Sequence, residues 1–354
     1  MSSEQVIRTV PHRTNTQGGA SFLGRLFHAS ELPRRAFRSM GTVATVTVRT
    51  DYAERLAAVT EHIRKIFDRL ESKMSAYRAD SEISLLSRMG GVEPISVSED
   101  TDTVLSLARH FGGLSAGAFD STAGPLMRLW GFNGAQVPPV RPSEQAVREV
   151  LKLVDYRRLT IQDGTAFLPV KGMEEDVGGI AKGYAVDLAY DYCLSVGIRN
   201  FLIDFSGNVR ASGRPEWGTE WQIGVRNPFD RSRIIGKIAL PGGTALATSG
   251  SYERYVEIAG ARFSHIIDPR SGYPATGTAS VTVLCKDATT ADALSTAFFV
   301  VGACGAHALL EKVPSAELLI VPDTYPMELL LTQGLRETFA PAPEVRSRVL
   351  SPKS

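Results

Sequence analysis

Between Glu54 and Met74 the apolar residues Leu56, Val59, Ile63, Ile66, Phe67, Leu70 and Met74 recur every three or four places, the stripe of a helix with one buried face. Just before it, residues 43–48 alternate with the two-residue period of a strand. Ser81 is placed to cap a short helix carrying Ile83, Leu85 and Leu86, and a further helix is expected from Asp102 to Phe111, ended by Gly112-Gly113. Residues 143–153 read as a helix with Glu144 in its first turn, and 158–168 as a hairpin around Gln162-Asp163-Gly164. The segment beginning at Asp176 leads into a helix ending at Gly197, and strands are predicted at 200–205, 221–226, 234–240, 254–258, 281–285 and 318–321. Helices mixed with hairpins, and few strict strand–helix–strand units, predict an α+β fold.

Residues 1–35 are polar and without period, and read as a flexible leader. Residues 36–340 form the expected domain, interrupted by a loop with prolines at 138, 139 and 142, and 341–354, with Pro341, Pro343 and Pro352, read as a loose tail.

Composition narrows the picture. The chain has 354 residues, enough for one large or two ordinary domains, and its 43% hydrophobic and 22% charged residues are those of a globular protein. A net charge of +1, with no basic stripe interleaved with aromatics, argues against nucleic acid as a partner. Cys193, Cys285 and Cys304 are widely spaced in apolar surroundings, which predicts buried thiols and excludes a zinc frame. No run reaches the roughly 20 apolar residues of a membrane span. Arg34-Arg35 precedes a strand pattern, with no apolar run of signal-sequence length before it, so a cytoplasmic location is expected, with a periplasmic one as the alternative.

The chemistry concentrates in two segments. In DATTADALSTAFF (287–299) Asp292 and Thr296 lie one helical turn apart with Ser295 beside them, an oxygen set suited to magnesium, which needs few carboxylates and keeps its waters. The same Thr289-x-x-Asp292 spacing equally suits a helix start in which side chains satisfy free backbone N–H groups. Residues 176–187 supply Gly178, Gly179 and Gly183, which let backbone approach a phosphate, and Lys182, which can balance its charge at a helix N-terminus. Taken singly, Lys182 reads as a solvated helix lysine, His265 as a loop histidine, Asp268-Pro269-Arg270-Ser271-Gly272 as a turn, and Tyr77 and Phe119 as core aromatics.

Five segments in order change that balance: Met40-Gly41-Thr42; Ser75-Ala76-Tyr77; Gly117 to Leu126; Asp176 to Asp187; and Thr248-Ser249-Gly250 with His265 to Gly272, followed by Ala291 to Ala297. Together they resemble the FAD:protein FMN transferases, the ApbE-like family, over about Phe37 to Ala340. The resemblance implies an α+β fold of two similar subdomains, a T-fold-like duplication with mixed and antiparallel sheets around an FAD cleft. It implies a magnesium-dependent enzyme that cleaves FAD, joins FMN by a phosphoester to a threonine or serine of a target flavoprotein, and releases AMP.

Carried over by position, the metal ligands would be the Gly179 carbonyl, Asp292, Thr296 and Ser295. The FAD contacts would be Met40, Tyr77, Ala118, Phe119, Asp120, Asp176, Lys182 and Ile266, with His265 as proton acceptor and Lys182 beside the chemistry. Ser206 stands where many relatives carry a glycine, so the turn there is expected to differ. An FAD pyrophosphatase, with water replacing the protein hydroxyl, and a non-catalytic flavin-binding protein are the alternative readings.

Overall fold

The computed structural model describes residues 32–132, 140–216 and 220–350. Residues 1–31 of the leader read at 1–35, Pro138 and Pro139 of the proline loop, and the last four residues of the tail lie outside them. Leu32 is already buried, so the fold starts a few residues before the boundary read from the sequence.

Strands β1 (Arg34–Ser39) and β2 (Thr42–Val48) form a hairpin turned by Met40 and Gly41, both at positive φ, as the right-handed twist of a two-residue loop requires. Helix α1 (Leu56–Met74) buries six of the seven stripe residues and half-buries Ile66. Helix α2 (Glu82–Arg88) starts where Ser81 Oγ accepts from the Ser84 N–H at 3.0 Å. After β3 (Ile95–Ser96), helix α3 (Glu99–Leu114) runs through Gly112-Gly113, which were expected to stop it. Gly112 serves packing instead: a Cβ there would meet the Tyr156 ring at 2.6 Å. Helices α4 (Gly124–Leu129) and α5 (Glu144–Leu151) follow, then β4 (Thr160–Gln162) and β5 (Thr165–Phe167), turned at Asp163 and Gly164 and paired with β3 in a small sheet.

Helix α6 (Ala181–Ser195) leads to the hairpin of β6 (Phe201–Phe205) and β7 (Asn208–Ser212), in which Ser206 itself adopts the left-handed conformation at φ 55°. The strands β8 (Trp221–Arg226), β9 (Ile234–Leu240), β10 (Ala245–Gly250), β11 (Tyr255–Ile258), β12 (Ala261–Ser264), β13 (Ile267–Asp268), β14 (Tyr273–Pro274) and β15 (Thr278–Cys285) precede helix α7 (Ala288–Leu310). The chain closes with β16 (Glu317–Pro322), β17 (Glu328–Leu331), α8 (Gln333–Thr338), β18 (Phe339–Pro341) and β19 (Arg346–Val349).

The frame is one nine-stranded sheet, β1-β2-β6-β7-β10-β15-β16-β17-β19, antiparallel except for the parallel pair β17–β19. It joins two similar halves, each with a helix between its second and third strands: β1-β2-α1 with β6-β7, and β10-β15-α7 with β16-β17. The halves expected from the resemblance thus share a single continuous sheet. Leu318 and Ile320 face the helical core while Leu319 and Val321 face a second core under the β18-β9-β8 sheet, so β16 is apolar on both sides. The tail reading is corrected: Arg346–Val349 is a strand, because the edge of β17 offers backbone partners from Glu328 to Leu331.

Two smaller expectations also shift. Cys193 and Cys285 are buried but Cys304 is exposed. Helix α7 is long and apolar enough to cross a membrane, contrary to the reading from the sequence, but it breaks at Gly302 (φ 59°) and packs its N-terminal half against β10 and β15.

Candidate functional site

The expected metal ligands and phosphate-binding turn meet where α6 crosses the start of α7. Asp287 caps α7, its side chain accepting from the Thr290 N–H at 2.7 Å, so Thr289-x-x-Asp292 is not the cap. This frees Asp292, one turn further in, for another partner. The Gly183 N–H donates to Asp292 Oδ2 at 2.9 Å in a buried contact. A Cβ on Gly183 would lie 2.3 Å from the Ala288 carbonyl, so this glycine permits the helix crossing; the sequence suggested phosphate approach for it. Asp187, one turn along α6, accepts from the Ala288 and Thr289 N–H groups at 2.9 and 2.8 Å and pairs with Arg210 at 2.7 Å. Its carboxylate answers the free donors and the positive end of α7.

Gly179 sits against both halves of the expected site. A Cβ on it would come within 3.1 Å of the Phe119 ring and 3.3 Å of Thr296 Oγ1. Gly179, Thr296 and Asp292 therefore meet at one oxygen-rich corner, where Asp292 Oδ2 accepts from the Gly183 N–H at 2.9 Å and Thr296 Oγ1 donates to the Asp292 carbonyl at 3.4 Å. Ser295 differs: its hydroxyl is buried and engaged with Ser249 Oγ at 2.8 Å and the Asp292 carbonyl at 2.9 Å. It supports the helix turn that carries Asp292. No three His, Cys, Asp or Glu side chains cluster as metal ligands among the described residues, so a cation here would rely on one carboxylate with hydroxyl and carbonyl oxygens, a set that fits magnesium.

Two of the segments expected to contact the flavin, 117–126 and 176–187, are brought side by side. The Asp176 N–H donates to the Ser121 carbonyl at 2.7 Å, and Ala123 bridges Glu174 in parallel. Asp176 Oδ1 accepts from the Gly178 N–H at 2.8 Å and shapes the turn, while Lys182 Nζ donates to the Gly178 carbonyl at 2.6 Å. Ala118 and Phe119 are buried here. Asp120 has both oxygens in use, Oδ1 from Thr122 and Oδ2 from the Tyr156 N–H at 3.0 Å, and burial pushes its carboxyl above the usual range. Its side chain is therefore a turn-former.

A second wall is aromatic and cationic. Tyr77 follows α1 and is more than half exposed; Arg254 donates to its hydroxyl at 3.1 Å and to the Phe132 carbonyl at 2.6 Å. His265 Nδ1 lies 2.9 Å from the Arg254 carbonyl, and the ring packs edge-on to Phe132 with centroids 6.5 Å apart. Burial, then the Arg254 and Lys182 charges, pull His265 down to about 4, so it is neutral at physiological pH. Ile266 is buried beside it. Met40 holds the β1–β2 turn, its N–H donating to Glu71 Oε2 at 2.9 Å near the C-terminal end of α1, the end from which Tyr77 also projects.

Sequence reasoning missed Arg254, Phe132 and Glu175. Nothing in their spacing marks them, since each acts across long stretches of chain. Glu175 is buried with neither carboxyl oxygen hydrogen-bonded, facing a Ser121 hydroxyl that is equally without a partner among the described residues. Burial, opposed by the nearby Ser121 hydroxyl and reinforced by Asp120 and Asp176, pushes its carboxyl up to about 8. The Asp268 segment is the turn that was read, with the Gly272 N–H donating to the Asp268 carbonyl at 2.8 Å.

Comparison with known proteins follows the same lines. The ApbE family model matches residues 40–320. The FAD:protein FMN transferase of Vibrio cholerae is 37% identical over 260 residues, 73% of this chain and 78% of its own. The crystal structure of the ApbE protein of Thermotoga maritima superposes with a TM-score of 0.79 at 34% identity, covering 87% of this chain and 99% of that one. The flavin transferase ApbE from Vibrio cholerae gives a TM-score of 0.77 at 31% identity, with the same coverage. A family match over residues 40–320, a relative 37% identical over most of its length, and solved structures matched over 99% of their chains make this chain a member of the ApbE family.

Proposed function

We propose that this chain transfers FMN from FAD to a threonine or serine hydroxyl of a target flavoprotein, with magnesium, and releases AMP. The relatives' activity supports flavin transfer. The observation that carries the finer reading is the corner where Gly179 and Thr296 meet at the Asp292–Gly183 contact, with Lys182 following on the same turn and acting electrostatically on His265.

The Gly179 carbonyl, Asp292 and Thr296 would hold the cation, which when bound supplies charge neutralisation for the phosphates. Lys182 adds a second positive charge. Exposed Tyr77 and the segments at Met40, Ala118–Phe119, Asp176 and Ile266 orient the flavin half of the substrate, and Asp120 contributes by fixing its loop. The acceptor O–H loses its proton to neutral His265 as its oxygen bonds to the FMN phosphorus. The anhydride P–O bond breaks and its electron pair leaves with AMP. A hydroxyl is a poor nucleophile without such a base.

Mass spectrometry tests this after incubation with FAD, magnesium and an acceptor carrying an Asp-Gly-x-Ser/Thr-Gly-Ala-Thr type motif. A gain equal to covalent FMN, abolished by a chelator, is expected. Free FMN and AMP beside an unmodified acceptor would assign the reaction to water.

A further inference from the structure

Arg254 occupies a junction that the reaction scheme leaves without a role. Its guanidinium donates to two groups from the first half of the chain, Tyr77 Oη at 3.1 Å and the Phe132 carbonyl at 2.6 Å. Its own carbonyl accepts twice from the second half, from the His265 N–H at 3.1 Å and from His265 Nδ1 at 2.9 Å. A carbonyl has no proton to give, so the ring contact requires that Nδ1 carry the hydrogen. The lone pair then sits on Nε2. Imidazole in water favours the opposite tautomer, so the protein has to enforce this one, and the partner of the other ring nitrogen is what enforces it.

The carbonyl can do so only while the residue bearing it stays in place. Arg254 immediately precedes β11, which pairs only with β12 in a two-stranded sheet separate from the nine-stranded frame. The polar tie that crosses from this hairpin to Phe132 and Tyr77 is the guanidinium fork, a geometry that planar arginine supplies and lysine does not; further along the hairpin Val256, Ile258 and Phe263 share an apolar cluster with Trp130 and Phe132. We propose that Arg254 is a positioning residue for the transfer: its side chain anchors the start of β11 to Phe132 and Tyr77, and its carbonyl thereby holds His265 as the Nδ1–H tautomer, with Nε2 free to take the acceptor's proton.

The charges that act on His265 are the Arg254 guanidinium and the Lys182 ammonium, both cations, with the Phe132 ring against its edge. Arg254 therefore has two separable effects, one of geometry and one of charge. The proposal rests on His265 being the proton acceptor, but its test does not. Full-length protein labelled with 15N at its six histidines reports both tautomer and titration, with the His265 signals identified by their loss in His265→Gln.

The wild type is expected to show the Nδ1–H signature and a midpoint near 4. In Arg254→Gln the signature gives way to a mixture, and the midpoint rises by about one unit as a like charge is removed. In Arg254→Lys the charge remains, so the midpoint stays low, while loss of the fork loosens the tautomer; a fully retained Nδ1–H signature there would show that the fork is not what anchors it. An unchanged Nδ1–H signature in Arg254→Gln overturns the proposal even if the midpoint rises, since the arginine then acts by charge alone. These readings need neither FAD nor an acceptor, so anchoring can fail while transfer stands, and the reverse.

Discussion

The Gly183 N–H donates to Asp292 Oδ2 across the crossing of α6 and α7. One carboxylate thereby locks two helices, and in the proposed function its second oxygen would face the cation. Replacement by alanine removes both functions, leaving a buried N–H without its acceptor at a cost of about 1–3 kcal/mol. Asp292→Asn keeps an acceptor for Gly183 and discards the charge. Thermal melting of Asp292→Asn is therefore expected to stay near wild type while magnesium-dependent FAD cleavage is lost; full cleavage in that variant would remove Asp292 from the ion site.

Gly183→Ala puts a methyl group against the Ala288 carbonyl and the Asp292 side chain, where both helices are fixed. Overpacking of this kind costs roughly 1–3 kcal/mol, and here it also pulls Asp292 away from its donor. Urea denaturation should show the loss, and FAD cleavage should fall with it. A variant as stable and active as wild type would mean that the crossing is looser than it is drawn.

On the proposed function, His265→Ala should lower the transfer rate and leave FAD binding largely intact, because the proposed flavin contacts other than neighbouring Ile266 lie on other segments. As the proposed base, His265 must be neutral to work, and its pKa is held at about 4, below the ordinary value. Activity limited by this group is therefore present above that pH and lost as pH falls through it. Single-turnover rates between pH 4 and 7 test this, and a loss of rate centred near 6.5 would show an unperturbed histidine.

Glu175 makes stability fall as pH rises. Its folded pKa of about 8 lies above its usual value, so the native state holds a proton that the unfolded chain releases. The stabilisation relative to the unfolded chain is complete below the ordinary glutamate range and is gone above about 8, with a slope of about 1.4 kcal/mol per pH unit between. Glu175→Gln, which resembles the neutral acid, should flatten the difference between urea midpoints at pH 5 and 8. Parallel pH dependence in the two proteins would show that Glu175 is solvated or paired.

Regular elements were legible wherever burial on one face imposed a period, as in α1 and in β8 and β9, whose limits match the reading. Strands β7 and β10 were missed because Asn208, Thr248 and Ser249 interrupt the apolar pattern, each in the middle of the sheet. Gly112 was misread because its lack of a Cβ answers Tyr156, 44 positions away, and sequence spacing carries no trace of that contact. The candidate site divides in the same way. The closeness of Asp292 and Thr296 was visible because a helix relates positions four apart directly, whereas Ser295, three positions from Asp292, turns to Ser249, and Arg254 reaches Tyr77 across 177 residues.

The sheet that runs unbroken from β1 to β19 leaves no hinge between the halves, since bending it there would break the β7–β10 ladder. Domain closure, the usual way to shut an enzyme over a large substrate, is thereby denied to this protein. Any enclosure of a dinucleotide has to come from short loops on a stiff floor. If the proposed transfer holds, the segment that brings the acceptor hydroxyl would have to supply its own mobility, so a target presenting its threonine or serine on a tethered, extended stretch of chain suits this architecture better than one presenting it in a packed helix.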